Sequence, residues 1–403
     1  MKRTISILMA AIMMCSLCFT GCGTKAKDEG PVTITIWHDK EESVANVLKD
    51  ALSVLEPDIT VVLEKKDGMT DALKLVGNDP SSAPDMYFFA HDKIGVYAEM
   101  GILAPITDFL PEETLANYMD VTKEAATYKE NMYQLPIYYE TLLFMYNKAL
   151  MSENDVPATT EELYEYMKEN TKDGEYGFVE QHSTAYYSIP WIHGFGGELI
   201  SKDGEPLLTS DEVLDALSYH YKFLEYMPND SEYSTVNTLF LEGKADSIIG
   251  GPWLVPTAKE AGIDLGFAKM PIVDETGKTL APYIGVQGVH VLKVAEDTKK
   301  EAITKVLNII ADPALGVKMA NVAGCAPANK LSYEEESVKN DVMVNTMKAI
   351  ADEAIAMPNI PEMDIMFVIA GNLLVNINMK GTDVYEAATD NQSKAETLIA
   401  AMK

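Results

Sequence analysis

A steady exchange between two hydrophobic periods constrains this chain more than any other feature. Val32 to Trp37 (VTITIW) is β-branched and alternates every second residue, the period of a strand. Glu41 to Glu56 then sets Val44, Val47, Leu48, Ala51, Leu52, Val54 and Leu55 at helical spacing, and Pro57 stops it. Ile59 to Leu63 predicts a second strand, Met69 to Val76 a helix, Asp79 to Pro84 a loop, and Met86 to Phe89 a third strand. Strand–helix alternation of this kind predicts an α/β fold built on a parallel sheet. Ligands of such sheets bind beyond the carboxyl ends of the strands. The third strand ends on Phe89-Ala90-His91-Asp92-Lys93, an aromatic, an acid and a cation suited to a ligand with apolar faces and hydroxyl edges.

The pattern continues to the end of the chain. Tyr133 to Tyr146 predicts strand, crossing and strand, and could pass between domains. Pro157 to Lys168 predicts a helix that Thr159 or Thr160 could cap. Ser183 to Gly197 opens with aromatics and ends in glycines. A helix is predicted over Asp211 to Tyr226, strands over Ala245 to Gly250 and Ile284 to Val294, and helices over Lys299 to Ala311, Pro313 to Val322, Asp341 to Ile355, Phe367 to Met379 and Thr382 to Met402.

Residues 1–21 have the form of a signal peptide, with Lys2 and Arg3 ahead of an apolar run from Ile5 to Phe19. Phe19-Thr20-Gly21-Cys22 resembles a bacterial lipobox, which would make Cys22 the lipid-bearing amino terminus and residues 22–30 a flexible tether. Cys15 and Cys18 leave with the signal, so Cys325 has no partner for a disulfide and packing must supply the stability. About 380 residues remain, beyond the size at which a single core usually stops growing, and two domains are expected. Without Lys2 and Arg3 the chain carries 30 basic and 62 acidic side chains, net −32. Nucleic acid is excluded as a partner by that balance, and a neutral or cationic ligand is favoured.

Templates for catalysis and cofactors fail. Gly277-Lys278-Thr279 has Ile272 where a phosphate loop needs glycine, and Gly194, Gly196 and Gly197 lack dinucleotide spacing. No histidine pair has zinc-helix spacing, and no serine lies in a nucleophile elbow. No cofactor is expected. What remains is aromatics and scattered carboxylates, the means by which proteins hold sugars. A stacked ring adds about 0.5–1.5 kcal/mol beyond its burial, and a hydrogen bond to a charged group roughly 1.5–3 kcal/mol. Three of each, less ordering costs, leave about −8 kcal/mol, a micromolar site.

Phe89 to Leu103, Pro136 to Leu150 (PIYYETLLFMYNKAL), Gly251-Pro252-Trp253, Ser332 to Glu336 and Met357-Pro358-Asn359-Ile360-Pro361 resemble, in order, the maltose/maltodextrin-binding proteins that serve ABC importers. The resemblance implies a two-lobed, type II periplasmic-binding-protein-like fold with a hinge. It places residues 31–138 with 285–337 in one lobe and 139–284 with 338–403 in the other. It also implies contact residues: Asp92 accepting sugar hydroxyls, Phe89, Trp253 and Tyr186 (or Tyr187) stacking, Glu140 near the hinge, and the pair Asp39 and Lys40 after the first strand. Lys93 stands where the family has arginine, Thr184 where it has glutamate, and Phe367 near its last aromatic. The expected protein is a monomeric, non-enzymatic lipoprotein on the outer face of a membrane, of Gram-positive type. It would capture maltose or maltodextrin and present it to permease subunits. A galactose-, arabinose- or xylose-based oligosaccharide is the alternative ligand. A glycosidase, which needs two carboxyls about 5–9.5 Å apart, and an adhesive surface lipoprotein are the readings from other classes.

Overall fold

The computed structural model describes residues 31–402; the expected signal peptide, Cys22 and the tether lie outside these. Alternation in Val32–His38 buries Ile34, Ile36 and His38 on one face. This strand pairs in parallel with Ile59–Lys65 on one side and Met86–Ala90 on the other. The helices Glu42–Leu52 and Met69–Val76 make the crossovers. The next neighbour departs from the expected parallel sheet. Tyr283–Leu292 pairs antiparallel with both Met86–Ala90 and Leu135–Thr141, and Ala326–Pro327 adds antiparallel beyond. A helical crossover forces neighbouring strands into parallel only when they are consecutive. Tyr283–Leu292 instead returns from the second half of the chain, so its direction is set by its point of entry.

A second sheet has the order Leu265–Ala268, Leu143–Asn147, Ala245–Gly250, Tyr176–Val179. Only the fully buried Leu142 separates the first sheet's Leu135–Thr141 from the second sheet's Leu143–Asn147. The chain therefore makes two lobes, each an α/β layer with its own apolar core. A third cluster joins Tyr139, Ile284 and Val286 of the first sheet to Leu143, Met145 and Ile248 of the second, with Met343, Met347 and Ile350 over it. Among the described residues no single helix is long and apolar enough to cross a membrane.

Ser183 to Gly197, for which the sequence suggested no element, contains the helix Ala185–Gly194, with Pro190 inside it. Thr159 caps the helix Thr160–Asn170, its side chain accepting from the Glu162 N–H. Asp312, Pro313 and the left-handed Gly324 (φ 65°) bound Pro313–Ala323 as start and stop signals should.

Candidate functional site

Four elements are buried along their whole length except at one or two residues. Glu140 is the one residue of Leu135–Thr141 that is not buried. Gly285 and Gln287 are the two in Tyr283–Leu292, and Phe89 and Ala90 the two in Met86–Ala90. These openings coincide in register: Ala90 lies opposite Gln287, and Gly285 opposite Glu140. In the helix Ala185–Gly194 of the other lobe, every residue is buried except Tyr186. A single opening is not unusual, as Asp246 in Ala245–Gly250 shows; what sets these apart is that the openings of three neighbouring strands coincide in register.

The floor of the cleft is polar. Lys40 follows the first strand, its backbone N–H donating to His38 Nδ1 at 3.2 Å. Its side chain is 8% exposed. The ammonium pairs with Asp39 at 2.7 Å and donates to Gln287 Oε1 at 2.6 Å. It also lies 5.3 and 5.6 Å from the ring centres of Phe88 and Phe89, within cation–π range. Gln287 Nε2 donates to Glu140 Oε2 at 3.4 Å. Burial pushes the Glu140 carboxyl above its ordinary range, with Asp39 adding to that, while Lys40 and Gln287 pull it back. Gly285 keeps this floor low, since a Cβ there would meet only the Glu140 carbonyl, at 3.9 Å.

Asp92 and Lys93 form the rim. They sit in the one-turn segment His91–Lys93, which the buried His91 pins from beneath. His91 Nδ1 accepts from the Val286 N–H at 3.0 Å and Nε2 donates to the Met357 carbonyl at 2.8 Å. Burial lowers its pKa, so the ring works as a neutral strut. Lys93 pairs with Asp92 at 3.1 Å and also with Asp364 at the start of the helix Met363–Leu374. Burial disfavours its charge, but the two carboxylates outweigh that and raise its pKa. The segment Met357–Pro361 backs this first wall. Gly95 N–H donates to the Asn359 carbonyl at 2.9 Å, and the Asn359 amide donates to the carbonyls of Ala125 and Thr127 at 2.8 Å each.

The opposite wall is aromatic. Trp253 follows the strand Ala245–Gly250 and is 38% exposed. Its ring centre lies 6.3 Å from that of Tyr186, while Tyr187 is buried, so Tyr186 is the tyrosine that reaches the opening. The Gly-Pro-Trp run has a steric cause: a Cβ on Gly251 would fall 2.2 Å from the Trp253 ring. Burial raises the Tyr186 phenol pKa and the nearby Glu140 carboxylate adds to it, an electrostatic link between the lobes. Phe367 is half-buried and forms a T-shaped pair with Tyr283, ring centres 6.4 Å apart, one turn beyond Asp364.

Lys40 therefore ties Asp39, Phe89 and, through Gln287, Glu140 into one unit. Asp92 and Lys93 make a second, Tyr186 and Trp253 a third, and Phe367 packs against Tyr283 apart from all three. Gln287, Gly285, Gly251 and Asp364 were not among the expected residues. A signal existed for the first two: Gly285 and Gln287 interrupt one face of the apolar alternation in IGVQGVHV. A cavity of about 830 Å³ opens elsewhere, between Tyr128, His193, Tyr283, Met357 and Glu362, and its lining includes none of the nine expected contact residues.

The arrangement offers donors (Lys40, Lys93, Gln287), acceptors (Asp39, Asp92, Glu140) and ring faces, without a basic surface for polyanions. Comparison with known proteins agrees with a binding cleft. The chain is 29% identical to a maltotriose-binding protein of Pyrococcus abyssi over 84% of this chain and 76% of that protein. It is 27% identical to a galactooligosaccharide-binding protein of Bacillus subtilis over 96% and 94%. It also superposes on the crystal structure of a cyclo/maltodextrin-binding protein complexed with maltotetraose with a TM-score of 0.84, at 26% identity, over 94% of this chain and all of that one. The sequence model of the family described as bacterial extracellular solute-binding protein matches residues 55–346, and this chain belongs to that family.

Proposed function

We propose that this protein is the ligand-capturing lipoprotein of an ABC sugar importer, anchored through Cys22 to the outer face of a Gram-positive membrane. Its ligand is an α-glucan oligosaccharide of the maltose/maltodextrin class. The observation that carries this reading is the coincident exposure of Phe89, Gln287, Glu140 and Tyr186 in otherwise buried elements. Sugar rings would stack on Trp253, Tyr186 and Phe89, with Phe367 at the edge. Hydroxyls would bridge to Asp92, Glu140 and the Asp39–Lys40 pair, with Lys93 donating from the rim. Segments near 138/139, 284/285 and 337/338 act as the hinge between residues 31–138 with 285–337 and residues 139–284 with 338–403. Contacts from both lobes then favour the closed state. The monomer presents that closed form to its permease, and no bond in the sugar is broken.

Titration calorimetry with maltotriose tests the reading. A micromolar Kd is expected, with about 2.7 kcal/mol of added stability when ligand is a hundredfold above Kd. No heat and no rise in melting temperature would remove the α-glucan claim. The Bacillus relative, together with Lys93, Thr184 and Phe367 in place of the family's usual residues, favours a second reading, a galactose-based oligosaccharide. A thermal-shift panel of malto-, galacto-, arabino- and xylo-oligosaccharides separates the two.

A further inference from the structure

The floor of the cleft holds a cation and an anion that do not pair with each other. Lys40 donates to the carboxamide oxygen of Gln287 and Glu140 accepts from its nitrogen, the one amide orientation that gives the ammonium an acceptor and the carboxylate a donor. Gln287 reaches both because it sits diagonally across the ladder from Glu140, with side-chain-free Gly285 directly opposite that residue. It is also one of only two positions in a ten-residue strand that are not fully buried.

We propose that Gln287 is the specificity-determining residue of this cleft: its neutral side chain holds Lys40 and Glu140 apart and presents them as a matched donor and acceptor to two neighbouring hydroxyls of the ligand. Were the two charges in direct contact, each would satisfy the other and turn its strongest hydrogen-bonding direction away from the cleft. With the spacer, Lys40 keeps a free N–H and Glu140 a free oxygen lone pair, and the carboxamide itself lies between them as a third polar contact. The ligand class follows. A neutral vicinal diol meets a donor and an acceptor at once, whereas an anionic ligand meets Glu140 and Asp39. This inference rests on the carbohydrate reading for its ligand, but the arrangement of the three side chains stands apart from it.

The charged and titratable groups facing Glu140 are Lys40 and Asp39 from the loop after the first strand, Tyr186 from the opposite lobe, Tyr138 on its own strand and Cys325 beside the outer strand. None of these changes in Gln287→Met, which keeps length and removes the carboxamide. The experiment has two readouts on the full chain. The first is the titration midpoint of the Glu140 carboxyl in the ligand-free protein, followed by carbon-13 NMR with Glu140→Gln as assignment control. The second is the maltotriose Kd as a function of pH.

Losing a hydrogen bond that favours the charged form, Gln287→Met is expected to move the Glu140 midpoint to higher pH. It should also weaken binding about tenfold or more at neutral pH, the loss of one charge-assisted contact, with the acid limb of the affinity profile shifted the same way. A Glu140 midpoint that stays put, or a Kd within about twofold of wild type, overturns the proposal. Weaker binding with an unmoved midpoint also overturns it, since that marks a merely structural role. If the wild type binds no oligosaccharide, the functional reading fails while the NMR midpoint still decides whether Gln287 governs Glu140. Should Gln287→Met not fold, Gln287→Leu is read by the same two measurements, with the midpoint again expected to rise.

Discussion

The two faces of the cleft are built on opposite plans. Lys40, Gln287 and Glu140 on the floor are tied to one another by hydrogen bonds, Gln287 and Glu140 from adjacent strands of the first sheet and Lys40 from the loop after its first strand. Trp253 and Tyr186 on the other wall lie with their rings tilted at 42° and no hydrogen bond between them, and Trp253 leaves more than a third of its surface open. A preorganised polar floor loses little entropy on binding, and it discriminates because a mismatched ligand leaves buried polar groups unpaired. An exposed aromatic wall supplies area with little demand on orientation. The floor is therefore expected to choose the sugar, and the wall to supply most of the affinity.

Four substitutions can break this division, and the largest effect belongs to the wall. Trp253→Ala removes a ring that gains burial on binding, about 2–3 kcal/mol or close to a hundredfold in Kd. Its effect should be similar for every oligosaccharide that binds. Because the ring is exposed in the free protein, the melting temperature should hardly change; calorimetry and thermal melts check both.

Glu140→Gln comes next, with an expected loss of about tenfold from one charge-assisted hydrogen bond. Here stability moves the other way. The folded pKa of Glu140 lies above its unfolded value, so between the two the native state holds more protons and stability falls as pH rises. Removing this partly desolvated charge should therefore leave the free protein as stable or more stable at pH 7, an advantage that fades as pH drops below the raised pKa. Melting curves across pH, set beside affinities, test whether function is bought here with stability.

Gly251→Ala tests the wall without touching its rings. A Cβ at 2.2 Å from the indole forces Trp253 to move, and affinity should fall by less than in Trp253→Ala but in the same ligand-independent way. Asp364→Asn should have the smallest effect. It frees Lys93 from one of two carboxylates at an accessible rim, where ion pairs contribute about 0–1 kcal/mol. A change of a few-fold in Kd is expected, vanishing near 1 M salt, where the Debye length is about 3 Å.

The order of strands and helices through the first lobe was legible because a half-buried strand and an amphipathic helix print different periods in the sequence. The polar cluster after Met86–Ala90 was legible for the same reason. The helix Ala185–Gly194 was not. It is buried on nearly every side, so it shows no apolar stripe, and Pro190 and Gly194 argue against helix. Strand direction was hidden as well, since periodicity says nothing about where Tyr283–Leu292 enters the sheet. Gln287 and Asp364 acquire meaning only through partners 247 and 271 residues away. Met357–Pro361 carried part of the family resemblance, but its sequence says nothing of what it packs against. Its backbone bonds to Gly95 and His91 make it a brace for the first wall.

The central claim is that floor and wall grip one and the same oligosaccharide. A crystal structure of the protein with maltotriose tests it most directly. Glucose rings are expected to lie over Trp253 and Tyr186 while their hydroxyls reach Glu140, Gln287 and Asp92. A sugar bound instead in the cavity beside Tyr283 and Met357, with the Lys40–Gln287–Glu140 floor untouched, would contradict it.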